Sequence, residues 1–384
     1  MTPFRGDVLD DVALLEAGDP GAMLPAVASS AAQVREAAVL AAEAGVASLA
    51  ADGRPRAVVI CGMGGSGIAG DILAGIAGLG SPVPILTHRG YGLPAWVGPV
   101  DLVVAVSCSG STEEPLSALE EAVRRGCRLL VVGRSGSPLD DLGQRGRAVF
   151  VPVTQGRQPR ASVWALSTPL IVAGHALGLL HAPVEVVEAA AVTLEQVAGR
   201  CRPDADSLVN PAKRLALDLD GALPVVWGAS PMTASAAYRF ACQLNENAKL
   251  PAVWGVLPEA DHNQVVAFDG PFAAKRSRGE DLFADREQEG PDATQLALVL
   301  LRDGEEHPQV ARRAEVTAEM ARERGVPVVQ LLAEGDSAVS RLASLVGLAD
   351  YATTYLALLQ GIDPSPVHVI TSLKQRIATP MRAQ

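Results

Sequence analysis

Two short stretches carry residue types suited to holding an anion. The first is Gly62-Met63-Gly64-Gly65-Ser66-Gly67. Its glycines can take positive φ and let the backbone approach a ligand closely. Where such a loop opens a helix, free N–H groups and a partial positive charge point outward. The second is Ser107-Cys108-Ser109-Gly110-Ser111-Thr112. The hydroxyls of Ser66, Ser107, Ser109 and Thr112, with backbone N–H groups from both loops, can converge on one phosphate monoester without a lysine. Other readings compete. Gly62, Gly64 and Gly67 also fit the dinucleotide pattern G-x-G-x-x-G, which expects an acid at the end of the next strand. Thr87 is followed there by His88-Arg89, so only an NADP reading survives, with Arg89 on the 2′-phosphate. No Walker lysine follows the glycines. Ser66 as a helix cap and Ser111-x-x-Glu114 as a capping box would each explain single residues. They leave the other hydroxyls and the glycine loop unexplained.

Apolar runs lead into both loops. Ala57–Cys61 reads as a strand before the first, with a helix resuming to Leu73. Asp101–Ser107 (DLVVAVS) reads as a central parallel strand before the second, with a helix over Thr112–Arg125. Ligands bind at such carboxyl ends in open parallel sheets. Val83–Thr87 and Arg128–Val132 are further strands, and Ala148–Val151 is an expected sheet edge. Leu223–Trp227 and Gly325–Val329 repeat the plan without the glycines and most of the serines. The expected architecture is α/β: two tandem domains, each a mostly parallel sheet flanked by helices in three layers, related by internal duplication. Residues 1–201 form the first domain, 202–210 (RPDADSLVN) the linker, and 211–384 the second.

Composition narrows the function. The chain has 384 residues, too many for one ordinary core. Hydrophobic residues make up 48% and aromatics 4%, a core of Ala, Val and Leu suited to alternating helices and strands. A net charge of −11 argues against nucleic acid or an anionic membrane, which need clustered cations. The five cysteines are scattered and lack metal spacing, as expected of free thiols in the cytoplasm. Ala161–Val184 carries no charge and could span a bilayer by length. Its proline, glycine and histidines favour a buried helix or subunit interface instead. Gly270–Asp292 is a charged insertion.

The GGSG of Gly64–Gly67 and the SxSGxT of Ser107–Thr112 resemble the sugar isomerase (SIS) family. Gln243-Leu244-Asn245-Glu246-Asn247-Ala248-Lys249, Leu257-Pro258-Glu259-Ala260-Asp261-His262-Asn263 and Ile370-Thr371-Ser372-Leu373-Lys374 sharpen that to the bifunctional phosphoglucose/phosphomannose isomerases. The resemblance covers nearly the whole chain. It implies two SIS domains, a homodimer, a sugar phosphate substrate, and no metal or organic cofactor. Cys108 departs from the family, which often has Tyr within that loop.

An aldose–ketose exchange moves a proton between C2 and C1 through a cis-enediolate, so one base must remove it and return it on the same face. A carboxylate suits that task when burial brings its pKa toward neutrality. By resemblance the base is Glu246, at the end of the mostly apolar run Ala234–Leu244. His262 acts at the ring oxygen and reaches the partner subunit's site, Lys374 assists ring opening, and Arg160 stabilises the enediolate or the bound sugar. Gly65, Ser66, Ser107, Ser109 and Thr112 hold the phosphate. His88, His175, His181, His307 and His368 lie outside the motifs and read as structural. Two rivals remain, a non-catalytic phosphosugar sensor on the same fold and an NADP-dependent oxidoreductase.

Overall fold

The computed structural model describes residues 6–273 and 294–378. Most of the 270–292 insertion lies outside them. Apolar runs form β1 (Val58–Cys61), β2 (Ile85–His88), β3 (Leu102–Ser107), β4 (Arg128–Gly133) and β5 (Val149–Pro152), one parallel sheet in the order β2-β1-β3-β4-β5. Every residue of β1 and β3 is buried, because helices cover both faces of these central strands. A second parallel sheet comprises β6 (Ala222–Gly228), β7 (Val253–Val256), β8 (Gln295–Arg302) and β9 (Val328–Leu332), in the order β7-β6-β8-β9. With β6 in the place of β1, this repeats the first sheet without its edge strand β5. The expected α/β duplication is therefore visible in the topology.

The uncharged 161–184 run is not one helix. It forms the helix Val163–Ala176, breaks at Gly178 with φ +66°, and restarts as Val184–Arg200. The long apolar helix is instead Ala338–Leu359, with 94% of its most apolar window buried. It packs against the helices Val184–Arg200, Pro211–Leu219 and Pro231–Glu246 and belongs to a core cluster drawn from both halves of the chain. Its charged residues are paired: Asp350 accepts from Arg239 at 2.6 and 3.0 Å, and Arg341 lies 2.9 Å from Asp303. Between the halves, residues 201–210 contain no helix or strand. The buried Lys213 pins this stretch, donating to the Pro203 and Ala205 carbonyls at 2.8 and 2.7 Å.

Candidate functional site

The first loop turns the chain from β1 into the helix Gly65–Ala77. Gly64 sits at its N-cap with φ +52° and ψ −130°, backbone that residues with a Cβ avoid. Gly62 and Gly67 are required for a different reason. A Cβ on Gly67 would lie 2.7 Å from the Gly62 carbonyl oxygen, and one on Gly62 would lie 2.9 Å from the Ser66 backbone. The loop thus closes directly on its own helix. Ser66 lies inside the helix rather than capping it, and its Oγ accepts from the Cys108 N–H at 3.3 Å.

That bond joins the first loop to the second. Ser107 Oγ and Ser109 Oγ lie 3.2 and 3.3 Å from Thr112 Oγ1 and 3.4 Å from each other. Gly110, at φ +69°, allows the turn, and its N–H donates to Ser107 Oγ at 3.0 Å. Thr112 takes the N-cap of the helix Glu113–Arg125 without a side-chain capping bond, so the capping-box reading of Ser111 and Glu114 does not hold. Cys108 packs against the core and bonds to Ser162, away from the hydroxyl triangle. Gly65, Ser66, Ser107, Ser109 and Thr112 are thus gathered at two helix N-termini, where dipoles and hydroxyls favour an anion.

The Gly65–Ala77 helix packs antiparallel to Pro231–Glu246. Near its end, a Cβ on Gly75 would meet the Pro231 carbonyl at 2.9 Å and Met232 Cα at 3.2 Å. Nearer its start, Arg89 Nε lies 3.1 Å from a Cβ built on Gly67, while the same guanidinium sits 5.3 Å over the Tyr238 ring. Followed toward Ser66, the partner helix therefore runs toward Glu246. At 1.5 Å of rise per residue, Glu246 lies roughly 7–8 Å beyond the height of Ser66 along the axis.

Arg160 bridges this distance. Its preceding residue, Pro159, places a carbonyl oxygen 3.9 Å from a Cβ built on Gly65. The Arg160 guanidinium is buried, donates to the Glu246 carbonyl at 3.1 Å and the Ser365 carbonyl, and stands 3.8 Å from the Glu246 carboxylate. Arg239 in turn donates to the Arg160 carbonyl at 3.0 Å, so the buried Arg239–Asp350 pair holds this turn in place. Burial pushes the Asp350 carboxyl upward, opposed by Arg239 and by Gln243. Glu246 itself is not buried as expected. Its side chain is 32% exposed and opens onto a cavity of about 600 Å³ shared with Asn245, Lys249, Asp363 and His368.

Two predicted residues are not beside Glu246. The helix Pro231–Glu246 starts where β6 ends, and β7 returns parallel to β6, with the Leu257 N–H on the Gly228 carbonyl at 2.9 Å. The exposed His262 follows at the carboxyl end of the sheet, about one 16-residue helix, or ~24 Å, from Glu246. Lys374 is exposed on the helix His368–Ala378, one turn past Ile370, which lines the cavity. Sequence reasoning overlooked Lys249 and Asp363 at the cavity, although Lys249 closes the Gln243–Lys249 motif. It also offered Arg89 only as a cofactor ligand. The structure pairs Arg89 with Asp71 beside the glycine loop.

The packing at Gly67 gives a direct test. Gly67→Ala should raise KM for a hexose phosphate at least about tenfold, a cost of ~1.4 kcal/mol, because the methyl meets backbone that cannot yield. Steady-state kinetics and isothermal titration check this.

Residues 208–377 match the bacterial phospho-glucose isomerase C-terminal SIS domain. The chain is 33% identical to the bifunctional phosphoglucose/phosphomannose isomerase of Caldicellulosiruptor bescii, over 84% of this chain and 89% of that protein. It is 31% identical to the protein of the same name from Aquifex aeolicus, over 84% and 90%. A glucose-6-phosphate isomerase from Chlamydia trachomatis shares the fold, with a TM-score of 0.66 at 14% identity, over 97% of this chain and 84% of that one. Loops, helix pairing and sequence thus agree, and the chain belongs to the bifunctional phosphoglucose/phosphomannose isomerase family.

Proposed function

We propose that this phosphosugar isomerase interconverts glucose 6-phosphate and mannose 6-phosphate with fructose 6-phosphate, in the cytoplasm, through a cis-enediolate. The observation that carries this reading is the antiparallel pairing of the glycine-loop helix with the Glu246 helix, bridged by Arg160. The hydroxyl triangle and the two helix N-termini anchor the phosphate, which fixes the orientation of the sugar chain. Glu246 takes the C2 proton and returns it to C1. Arg160 places positive charge where the enediolate develops negative charge.

Ring opening is assigned to His262, and the separation of His262 from Glu246 favours a homodimer in which each subunit's His262 completes its partner's site. Lys374, one turn from the cavity, is the assisting cation. The halves 1–201 and 211–384 are then two SIS domains that meet at the site, one holding the phosphate and the other the base.

Proton NMR of purified protein with glucose, mannose, fructose and pentose phosphates tests the activity. Ligand-induced melting shifts without turnover would select a sensor. Sharing of the site has its own test. Glu246→Gln and His262→Asn homodimers should each be nearly inactive. Mixed and re-paired at random, they should recover about a quarter of parental activity, because half the dimers are hybrid and each hybrid rebuilds one of two sites. No recovery in demonstrated hybrids would exclude exchange of His262.

A further inference from the structure

Lys249 has an unusual backbone and an unusual set of contacts. It follows the Pro231–Glu246 helix at φ +56°, the left-handed region, which few residues other than glycine occupy. Such strain persists only where the surroundings enforce it, and it gathers at functional sites. Its Nζ donates to the Glu246 carbonyl at 2.6 Å and reaches the Pro364 carbonyl at 3.5 Å. The same Glu246 carbonyl accepts from Arg160 at 3.1 Å. Two cations from different parts of the chain therefore converge on the backbone oxygen of one residue. Their other hydrogen bonds run to the neighbouring carbonyls of Pro364 and Ser365. The last turn of the helix is thereby tied to the segment that leads into His368–Ala378.

We infer that Lys249 is a positioning residue for the catalytic base: by gripping the Glu246 carbonyl from a strained backbone, its ammonium fixes the direction in which the carboxylate enters the cavity. Only the kinetic readout of this inference rests on the isomerase reading. The left-handed bend ends the helix, with the Leu250 N–H on the Leu244 carbonyl at 3.1 Å, and the ammonium folds back onto a carbonyl three residues earlier.

The charged groups facing the ammonium are Arg160 from the turn after Pro159, Glu246 from its own helix, and Asp363 from the segment before the last helix. Burial lowers the lysine pKa first and the Arg160 charge adds to this, while Asp363 and Glu246 oppose it. The sign follows directly. A lowered lysine loses its proton below the ordinary lysine range, so the grip on Glu246 is present at neutral pH and released on the alkaline side. Turnover should fall with it, ahead of the pH expected for a free lysine.

The test uses the full-length protein and two variants. Lys249→Gly removes the ammonium yet suits φ +56°, so it should melt no lower than the parent. It should lose on the order of 10²-fold in kcat, the scale of a misplaced catalytic group, with KM changed less than about threefold. Lys249→Arg keeps a cation that does not titrate and should move the alkaline limb of kcat upward by at least about one pH unit. Independently of turnover, amide hydrogen exchange in the last turn before Asn247 should quicken at least about tenfold in Lys249→Gly, which a loosened turn requires. Unchanged exchange overturns the inference, and so does an alkaline limb unmoved by Lys249→Arg. A parent that binds hexose phosphates without converting them refutes the isomerase reading instead, and the exchange result still decides the role of Lys249.

Discussion

Glu246→Gln should reduce kcat on the order of 10³-fold, within the range for removal of a positioned general base, while fructose 6-phosphate still binds. The substitution preserves shape and leaves the local architecture in place. Arg160 and Lys249 bond to the Glu246 carbonyl, not to its carboxylate. Glutamine abolishes the ion pair made by the 3.8 Å approach of Arg160 to the carboxylate. With a third of the Glu246 side chain in solvent, that pair is worth at most about 1 kcal/mol. Stability should therefore hardly move, and the effect should fall on proton transfer. Two measurements separate these possibilities: kcat from a coupled assay, and exchange of the sugar C2 proton with deuterated solvent. If Glu246→Gln exchanges that proton at the parental rate, another residue is the base.

Asp350→Ala should destabilise the protein by about 3–5 kcal/mol, the cost of leaving a buried charge without its partner. Asp350 and Arg239 are almost wholly buried, and Gln243 also donates to the carboxylate, at 3.1 Å. Alanine would strand the guanidinium and the amide together between the Pro231–Glu246 and Ala338–Leu359 helices. The denaturant midpoint reads this directly. The double variant Arg239→Met/Asp350→Leu offers a sharper result. Removal of both charges should restore much or all of the stability, since apolar replacements of buried pairs are often neutral or better. Turnover should remain low, because Arg239 also holds the Arg160 carbonyl at 3.0 Å and no methionine can do so. Full activity in a stable double variant would show that Arg160 needs no such support.

Much of the candidate phosphate site was legible in the chain because the interactions that build it are local. Ser107, Ser109 and Thr112 fall within one turn, and the Gly62–Gly67 approach closes within a single strand–loop–helix unit. The strands β1, β3, β4 and β6 were equally plain, since buried parallel strands are continuous apolar runs, whereas β7 and the central β8 were missed and β9 lies three residues beyond the expected Gly325–Val329. Periodicity failed at the 161–184 run. Lack of charge signals burial but cannot show where a helix stops, and Gly178 ends this one. The importance of Ala338–Leu359 was likewise hidden. An almost uniformly buried helix has no polar face, and its few charges gain meaning only from Arg239 and Asp303.

Residue order alone pointed to the two glycine- and hydroxyl-bearing loops, to a duplicated α/β plan of parallel sheets and, through the motifs, to candidate residues for an isomerisation. Long-range packing settled everything else. It brought the Glu246 helix against the glycine-loop helix by antiparallel packing of elements more than 150 residues apart in the chain, left the carboxylate partly exposed, and surrounded it with Arg160, Lys249 and Asp363. It also separated His262 from Glu246 by the length of a helix. The physical reason is one of range: turn and strand preferences act over a few residues, whereas the position of a base depends on which helix faces pack together.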